Sequence, residues 1–381
     1  MSMETASVIF EELESCHGVK IGHVKLANAR ALNALALGMI DLLYAQLKKW
    51  QQDENIAMVY IDGDGDRAFC AGGDVVSMFH TIATTNSTPA SSDEYALQTY
   101  FTLEYELDYL IHNYTKPLLV WGNGIVMGGG LGLMCGASHR IVTTSSRIAM
   151  PEITIGLYPD VGASFFLNHM PAGCGLFLGL TGASINAADA LHTNLADYFV
   201  SDGLKKPFFE KLLSANWQRG SLVATLDEIC ETFQNASFEF LPQSHLISHQ
   251  NWLHKLADLP SVRDTVKAIL STPSESDLWL SKAQKSLSHG SAVSAHIVFE
   301  QLCRAQNMSL SQCFQMELGL SCKAGEFGEF QEGVRALLVD KDGKPNWKYK
   351  TVEEVPESVV EYFFEAIWPA ELHPLAHFCE V

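Results

Sequence analysis

Three consecutive glycines, Gly128, Gly129 and Gly130, close an apolar run that starts near Pro117, and Leu131-Gly132-Leu133-Met134-Cys135 continues beyond them as a buried helix would. A strand, a tight turn and a helix start in succession leave backbone N–H groups pointing outward without partners. Glycine suits such a turn because it tolerates positive φ and lets a ligand come close to the backbone. A second small-residue turn, R-A-F-C-A-G-G-D-V, spans Arg67 to Val75. Further on, Glu152 stands between Pro151 and Ile153 in an apolar run, and Asp160 follows Pro159. Amide donors beside a carboxylate in greasy surroundings suit acyl chemistry. The donors stabilise charge developing on a carbonyl oxygen, and losing one typically costs about 3 kcal/mol. The carboxylate, desolvated by Met150, Pro151 and Ile153, has its pKa raised and can act as nucleophile or general base.

Each feature also has a plainer reading. Either glycine motif alone is a tight turn, Glu152 a hydrogen-bonded turn residue, and Asp160 a cap on the bend after Pro159. Both turns upstream of one carboxylate favour chemistry, because an unpaired acid kept there for structure alone is costly.

The elements that must position these residues follow from the chain in order. The 381 residues, 47% hydrophobic and 18% charged, allow a large core and more than one domain. The net charge of −19 speaks against nucleic acid as a partner. No apolar run reaches the roughly eighteen residues of a membrane helix, so no membrane partner is expected. Nine cysteines without a C-x-x-C pair read as reduced thiols. The acidic M-S-M-E-T-A-S-V-I-F-E-E-L-E lacks the pattern of a signal or transit peptide. Together these lead to the expectation of a cytoplasmic protein. The fourteen histidines are read as forming no metal grouping, and Asp62, Asp64 and Asp66 as an acidic turn, since the glutamate that closes a calcium loop is missing.

Residues 8–25 predict a strand pair turning around Ser15–Gly18. Leu32, Leu35, Met39, Leu42, Leu43 and Leu47 predict an amphipathic helix from Ala31 to Trp50. Ala57–Asp62 and Pro117–Trp121 predict strands, as do Ile141–Val142 and Ile148–Ala149. The polar segment 81–94 reads as a loop, and Tyr95 to His112 as a helix bearing Glu104, Glu106 and Asp108. Strand, small-residue turn and helix recur, which predicts an α/β core over residues 1–204 that holds the active site. From about Lys205 helical signals dominate, giving a second, mainly helical region over 205–381.

A-F-C-A-G-G-D, then N-G-I-V-M-G-G-G, then M-P-E-x-x-I-G-L, resembles the crotonase (enoyl-CoA hydratase/isomerase) superfamily. P-E-I-T-I-G-L-Y-P-D-V-G-A-S-F-F-L and the late E-F-x-E-G-V-R-A-L-L-V-D-K-D-G-K-P-N-W-K narrow the resemblance to its 3-hydroxyisobutyryl-CoA hydrolase branch, over about Gly18 to Val355. The resemblance implies a β-β-α spiral core, a helical C-terminal region and an acyl-CoA ligand. CoA would be part of the substrate, with no separate cofactor and no metal. It implies oxyanion donors at Gly73 and Gly129, with Glu152 and Asp160 as the catalytic acids. Asp160 would bond the substrate's hydroxyl or orient water, and Glu104 would reach the substrate's polar end. Ala68 and Ala71 flank the turn that holds the CoA adenine in relatives, and Arg30 is a candidate for CoA phosphate, although the usual N-R-P is here Ala27-Asn28-Ala29-Arg30.

One departure matters. Hydratases of the superfamily carry a glutamate where this chain has Gly132, and adding water across a C=C bond uses two carboxylates. Thioester hydrolysis in valine breakdown is therefore the leading expectation. An enoyl-CoA hydratase or isomerase is the alternative, and a non-catalytic acyl-CoA binder the third. Oligomeric state is left open, since superfamily members often form trimers and the helical region could cover that surface.

Overall fold

The computed structural model describes residues 7–16, 18–85, 97–218 and 220–378. Among the described residues nine strands run β1 (Val8–Glu14), β2 (Lys20–Leu26), β3 (Ile56–Gly63), β4 (Ala68–Cys70), β5 (Leu118–Gly122), β6 (Ile125–Met127), β7 (His139–Val142), β8 (Arg147–Ala149) and β9 (Tyr198–Phe199). Six form one sheet in the order β1-β2-β3-β5-β7-β9, and three form another in the order β4-β6-β8. β1 and β2 pair antiparallel from Val8↔Leu26 to Glu14↔Lys20. β2, β3, β5, β7 and β9 pair parallel along the first sheet. The expected α/β fold class with a helical C-terminal region is what the chain forms. After β9, all regular elements among the described residues are helices. The division at residue 204 is kept as a proposal on that content of secondary structure.

The chain forms two compact units, each assembled from three stretches. The first comprises Met1–Gly73, Glu106–Ile148 and Ile185–Ile247. Its core is made by Met58, Tyr60, Leu119, Trp121 and Ile141 from the sheet and by Phe208, Leu212, Leu226 and Ile229 from the helices Lys205–Ser214 and Leu222–Ser237. Trp121 and Phe208 meet at a centroid distance of 5.4 Å. Each fully buried large side chain of this kind contributes roughly 1.5–3 kcal/mol.

The first helix begins later than its apolar spacing predicts. It spans Leu37–Gln52 and buries Met39, Ile40, Leu43, Leu47 and Trp50, whereas Leu42 lies 48% exposed. Asn33 is the reason. Its buried side chain accepts from the Asn28 amide at 3.0 Å and donates to the carbonyls of Asp64 and Ala68 at 3.1 and 3.0 Å. That mesh holds Leu32 at φ 54°, outside helical space, and the Leu35 amide is taken by Gly72 O at 2.8 Å. Leu32 and Leu35 belong to a loop, not to the helix.

The second unit comprises Asp74–Tyr105, Ala149–Ser184 and Ser248–Val381. Serine and aspartate start its helices as capping chemistry requires. Ser261, Asp277, Ser291 and Ser309 each accept from the amide three residues on, and Ser309 with Gln312 completes a capping box. The segment 81–94, expected as a loop, continues the helix Val75–Thr85 at its start; residues 86–96 lie outside the described ones. The next helix is Gln98–His112.

Candidate active site

In the first unit the two glycine bends adjoin. β4 and β6 run parallel, pairing Ala68 with Ile125 and Cys70 with Val126, so the turns that follow them leave the sheet side by side. A methyl group placed on Gly72 would lie 3.2 Å from Met127 O and 3.7 Å from the Gly129 amide nitrogen. One on Gly130 would lie 2.4 Å from Cys70 O, closer than any real Cβ sits, so only glycine allows this approach. Gly128, at φ 49° and ψ −127°, caps the helix Gly129–Cys135 without a side-chain bond. Gly129 is therefore the first helical residue, whose amide has no intrahelical acceptor. Gly73 pairs with Leu35 as an isolated bridge. Ala68 is buried and its carbonyl accepts from Asn33, while the half-buried Ala71 donates its amide to Leu32 O at 3.0 Å. Arg30 is exposed on the short 3-10 turn Ala29–Ala31.

The carboxylates lie in the second unit. Glu152 opens the 3-10 turn Glu152–Ile155 and is only 6% exposed. The turn ends on Gly156 in left-handed conformation at φ 68°, where a side chain would strike Glu329 O at 2.4 Å. The Ser291 amide donates to Ile153 O at 3.0 Å, fixing the same turn to the helix Ala292–Ala305. Glu152 Oε2 has no hydrogen-bond partner among the described residues. Burial, then the charge of Asp160 and that of Glu104, push its pKa well above the usual carboxylate range.

Glu104 on the helix Gln98–His112 faces inward, 3% exposed, not out to solvent as a charged helix residue ordinarily does. Its Oε1 is also unpartnered among the described residues. Burial first and Asp160 second raise its pKa. Asp160, 4% exposed, lies with its Oδ2 2.8 Å from Tyr105 Oη. Burial pushes its carboxyl up to about 6, against the opposing effect of Tyr105. The three expected acids are thus electrostatically linked, with Asp160 and Glu104 both acting to raise Glu152.

The backbone after Asp160 is strained. Val161, a β-branched residue, sits at φ 54°, a conformation costing about 1–3 kcal/mol. Glu317 holds it there, taking the Gly162 amide on Oε2 at 2.7 Å and the Ser164 amide on Oε1 at 2.8 Å. Gln301 adds a donor to Pro159 O at 2.7 Å. Burial raises the Glu317 carboxyl to about 8 despite these bonds. Sequence reasoning missed Tyr105, Tyr158, Glu317 and Ser321. The one signal on offer was the i, i+4 spacing of Glu317 and Ser321, which puts both on one face of the helix Leu310–Phe327.

His245 and His249 do stand at an H-x-x-x-H spacing, which corrects the reading of the histidines. His249 Nε2 is paired with Asp277 Oδ2 at 2.8 Å, and no group of three or more His, Cys, Asp or Glu among the described residues could hold a metal ion. No helix among the described residues is long and apolar enough to cross a membrane.

The parallel sheet with its paired glycine bends, followed by a helical C-terminal region, defines an α/β fold of the crotonase type. The family model described as enoyl-CoA hydratase/isomerase matches residues 21–364, and the chain belongs to that family. It is 33% identical over 369 residues to the Danio rerio protein named 3-hydroxyisobutyryl-CoA hydrolase, mitochondrial, covering 96% of this chain and 92% of that one. It is 34% identical to the Xenopus tropicalis protein of the same name, covering 92% and 88%. A crystal structure of a carnitinyl-CoA dehydratase from Mycobacterium thermoresistibile superposes with a TM-score of 0.82 at 28% identity, covering 96% of this chain and 98% of the other.

These relatives correct the expected location. Both hydrolases are named mitochondrial, which points to mitochondria, not the cytoplasm. The cysteines misled because free thiols, which all eight cysteines among the described residues are, report a reducing milieu and not a compartment.

Proposed function

We propose that this protein hydrolyses the thioester of an acyl-CoA, with 3-hydroxyisobutyryl-CoA as substrate, and releases 3-hydroxyisobutyrate and CoA in valine breakdown. The hydrolases at 33% and 34% identity support the reaction. The observation that carries the reading is Glu152: a carboxylate buried to 6% exposure, with one oxygen unpartnered among the described residues and its basicity raised. A structural acid would be paired; an acid that must accept a proton from water, or attack an acyl carbon, is left free and made more basic. The amides of Gly73 and Gly129 are the proposed donors to the thioester oxygen as it gains charge. Asp160 holds the substrate's hydroxyl or the attacking water, and Glu104 meets the substrate's polar end. Ala68, Ala71 and Arg30 are assigned to the CoA moiety. The chemistry requires no metal or separate cofactor.

The dehydratase neighbour favours one second reading, addition of water to an unsaturated acyl-CoA. Gly132, in place of a second glutamate, weighs against it. A panel of hydroxyacyl-CoAs followed by free-thiol release, beside an unsaturated thioester followed by loss of its enoyl absorbance, separates the two. Thiol release fastest with 3-hydroxyisobutyryl-CoA is expected. Enoyl loss without thiol release would replace hydrolysis by hydration, and CoA binding with neither signal would leave a non-catalytic binder.

A further inference from the structure

Behind Asp160 lies a row of three buried hydroxyls that no assigned role uses. Tyr105 Oη is 2.8 Å from Asp160 Oδ2 and 2.9 Å from Ser321 Oγ. Ser321 Oγ is 2.6 Å from Tyr158 Oη, which is 2.6 Å from the Glu317 carbonyl oxygen. Tyr105, Tyr158 and Ser321 are all fully buried, at 0% exposure. Each hydroxyl has one proton to give, so the row has four close contacts and three hydroxyl protons. A carbonyl ends it at one side, and a carbonyl only accepts. The fourth proton can come from Asp160 alone.

We propose that Tyr105, Ser321 and Tyr158 are positioning residues that form a reversible hydroxyl chain, and that the direction of this chain sets the proton held by Asp160. With Asp160 protonated, every bond points the same way: Asp160 donates to Tyr105, Tyr105 to Ser321, Ser321 to Tyr158, and Tyr158 to Glu317 O. With Asp160 ionised, Tyr105 turns to donate to the carboxylate and Ser321 to Tyr105, and one contact further along is left without a proton. A buried polar contact left unmade is unfavourable, so the chain as a whole favours the protonated acid while Tyr105 alone favours the ionised one. The other acids facing Asp160 are Glu104, Glu152 and Glu317, and the charge of Asp160 raises the pKa of each. Asp160 then meets substrate as a group able to donate or accept near neutral pH, which suits a ligand carrying a hydroxyl.

Removing different links must therefore move Asp160 in opposite directions. Tyr105→Phe strips the carboxylate of its donor and raises the pH at which Asp160 ionises. Ser321→Ala and Tyr158→Phe free Tyr105 to serve the carboxylate without leaving a bare contact, and lower it. Shifts of about one pH unit are expected for each. The direct readout is the infrared carbonyl stretch of the protonated carboxyl against pH, identified by its loss in Asp160→Asn. Ser321→Thr, which keeps the hydroxyl, should restore the original titration, and the Ser321 pair alone decides if a tyrosine variant does not fold. Shifts of one sign in all variants, or none, would overturn the chain. The inference rests on the hydrolase reading for its purpose only. The pH profile of kcat for thiol release should follow the infrared shifts with KM unchanged, whereas absence of thiol release would remove the hydrolase reading and leave the infrared result standing.

Discussion

Two buried acids, one in each unit, make opposite use of burial. Asp62 on β3 is 5% exposed, and its oxygens are met by His23 Nε2 at 3.0 Å and Lys205 Nζ at 2.9 Å. Burial works to raise its pKa, but the bonds and charges of His23 and Lys205 outweigh it and hold the carboxyl below its ordinary value. Glu152, equally deep, has one oxygen with no hydrogen-bond partner among the described residues and further carboxylates for company, and is pushed the other way. Depth does not set the direction; partners do. A paired acid stabilises a fold, and an unpaired one is retained against stability, which is the mark of a functional group.

The sharpest way to break this contrast is Glu152→Gln, which keeps shape and removes the charge. Loss of turnover on the order of 10³-fold is expected from free-thiol release, with CoA binding retained in calorimetry. Stability should stay level or rise, because no ion pair is lost and a desolvated charge is removed. Full activity would end the assignment of Glu152. Asp62→Asn should do the reverse. It strands His23 and Lys205 beside a neutral amide, and an unfolding midpoint in urea should report a loss of about 3 kcal/mol with kcat unchanged.

How much of this could be read beforehand divides along the same line. The acids Glu152 and Asp160 were legible because prolines and apolar neighbours frame them within a few residues. The glycine bends were legible for the same reason, and so was the strand Pro117–Trp121 between them, found as Leu118–Gly122, while Ile125–Met127 was not. Asp62 was legible as the end of a strand and part of an acidic turn, but not as a paired acid, since its partners stand at His23 and Lys205. The hydroxyl row was hidden, because Tyr105 and Ser321 are 216 positions apart and neither is unusual in its own segment. Leu32 and Leu35 misled for a related reason: their apolar spacing fits a helix, while the side chain of Asn33 commits the backbone elsewhere. Local composition announces chemistry that is local, and side-chain bonds between distant segments leave no such trace.

The contrast also predicts how stability depends on pH. Asp160 rises from 3.8 to about 6 and Glu317 from 4.5 to about 8 on folding. The folded chain then holds more protons than the unfolded one in those windows, so stability falls as pH rises from about 4 to 8, by up to about 1.4 kcal/mol per pH unit for each net proton. Asp62 acts oppositely: its contribution is present above its unfolded value and lost as pH falls through its lower folded one. Urea midpoints between pH 4 and 8 should therefore decline in the native protein, and decline less between 4 and 6 in Asp160→Asn. An unchanged slope in that variant would mean that Asp160 ionises as an ordinary surface acid.

The smallest effect tests whether the acids of the second unit act on one another. The charge of Glu104 is among the causes that raise Glu152, after burial and Asp160. Glu104→Gln removes that charge while keeping the side chain's length, so Glu152 should ionise at a somewhat lower pH. If Glu152 works in its ionised form, as base or nucleophile, the acidic limb of the kcat profile moves down with it, by less than one pH unit. KM should rise at the same time if Glu104 meets the substrate's polar end. A limb that stays in place while KM rises would leave Glu104 a contact to substrate without electrostatic influence on Glu152. A basic limb that moves down in place of the acidic one would mean that the reacting form of Glu152 is the protonated one, and its role would change from base to acid.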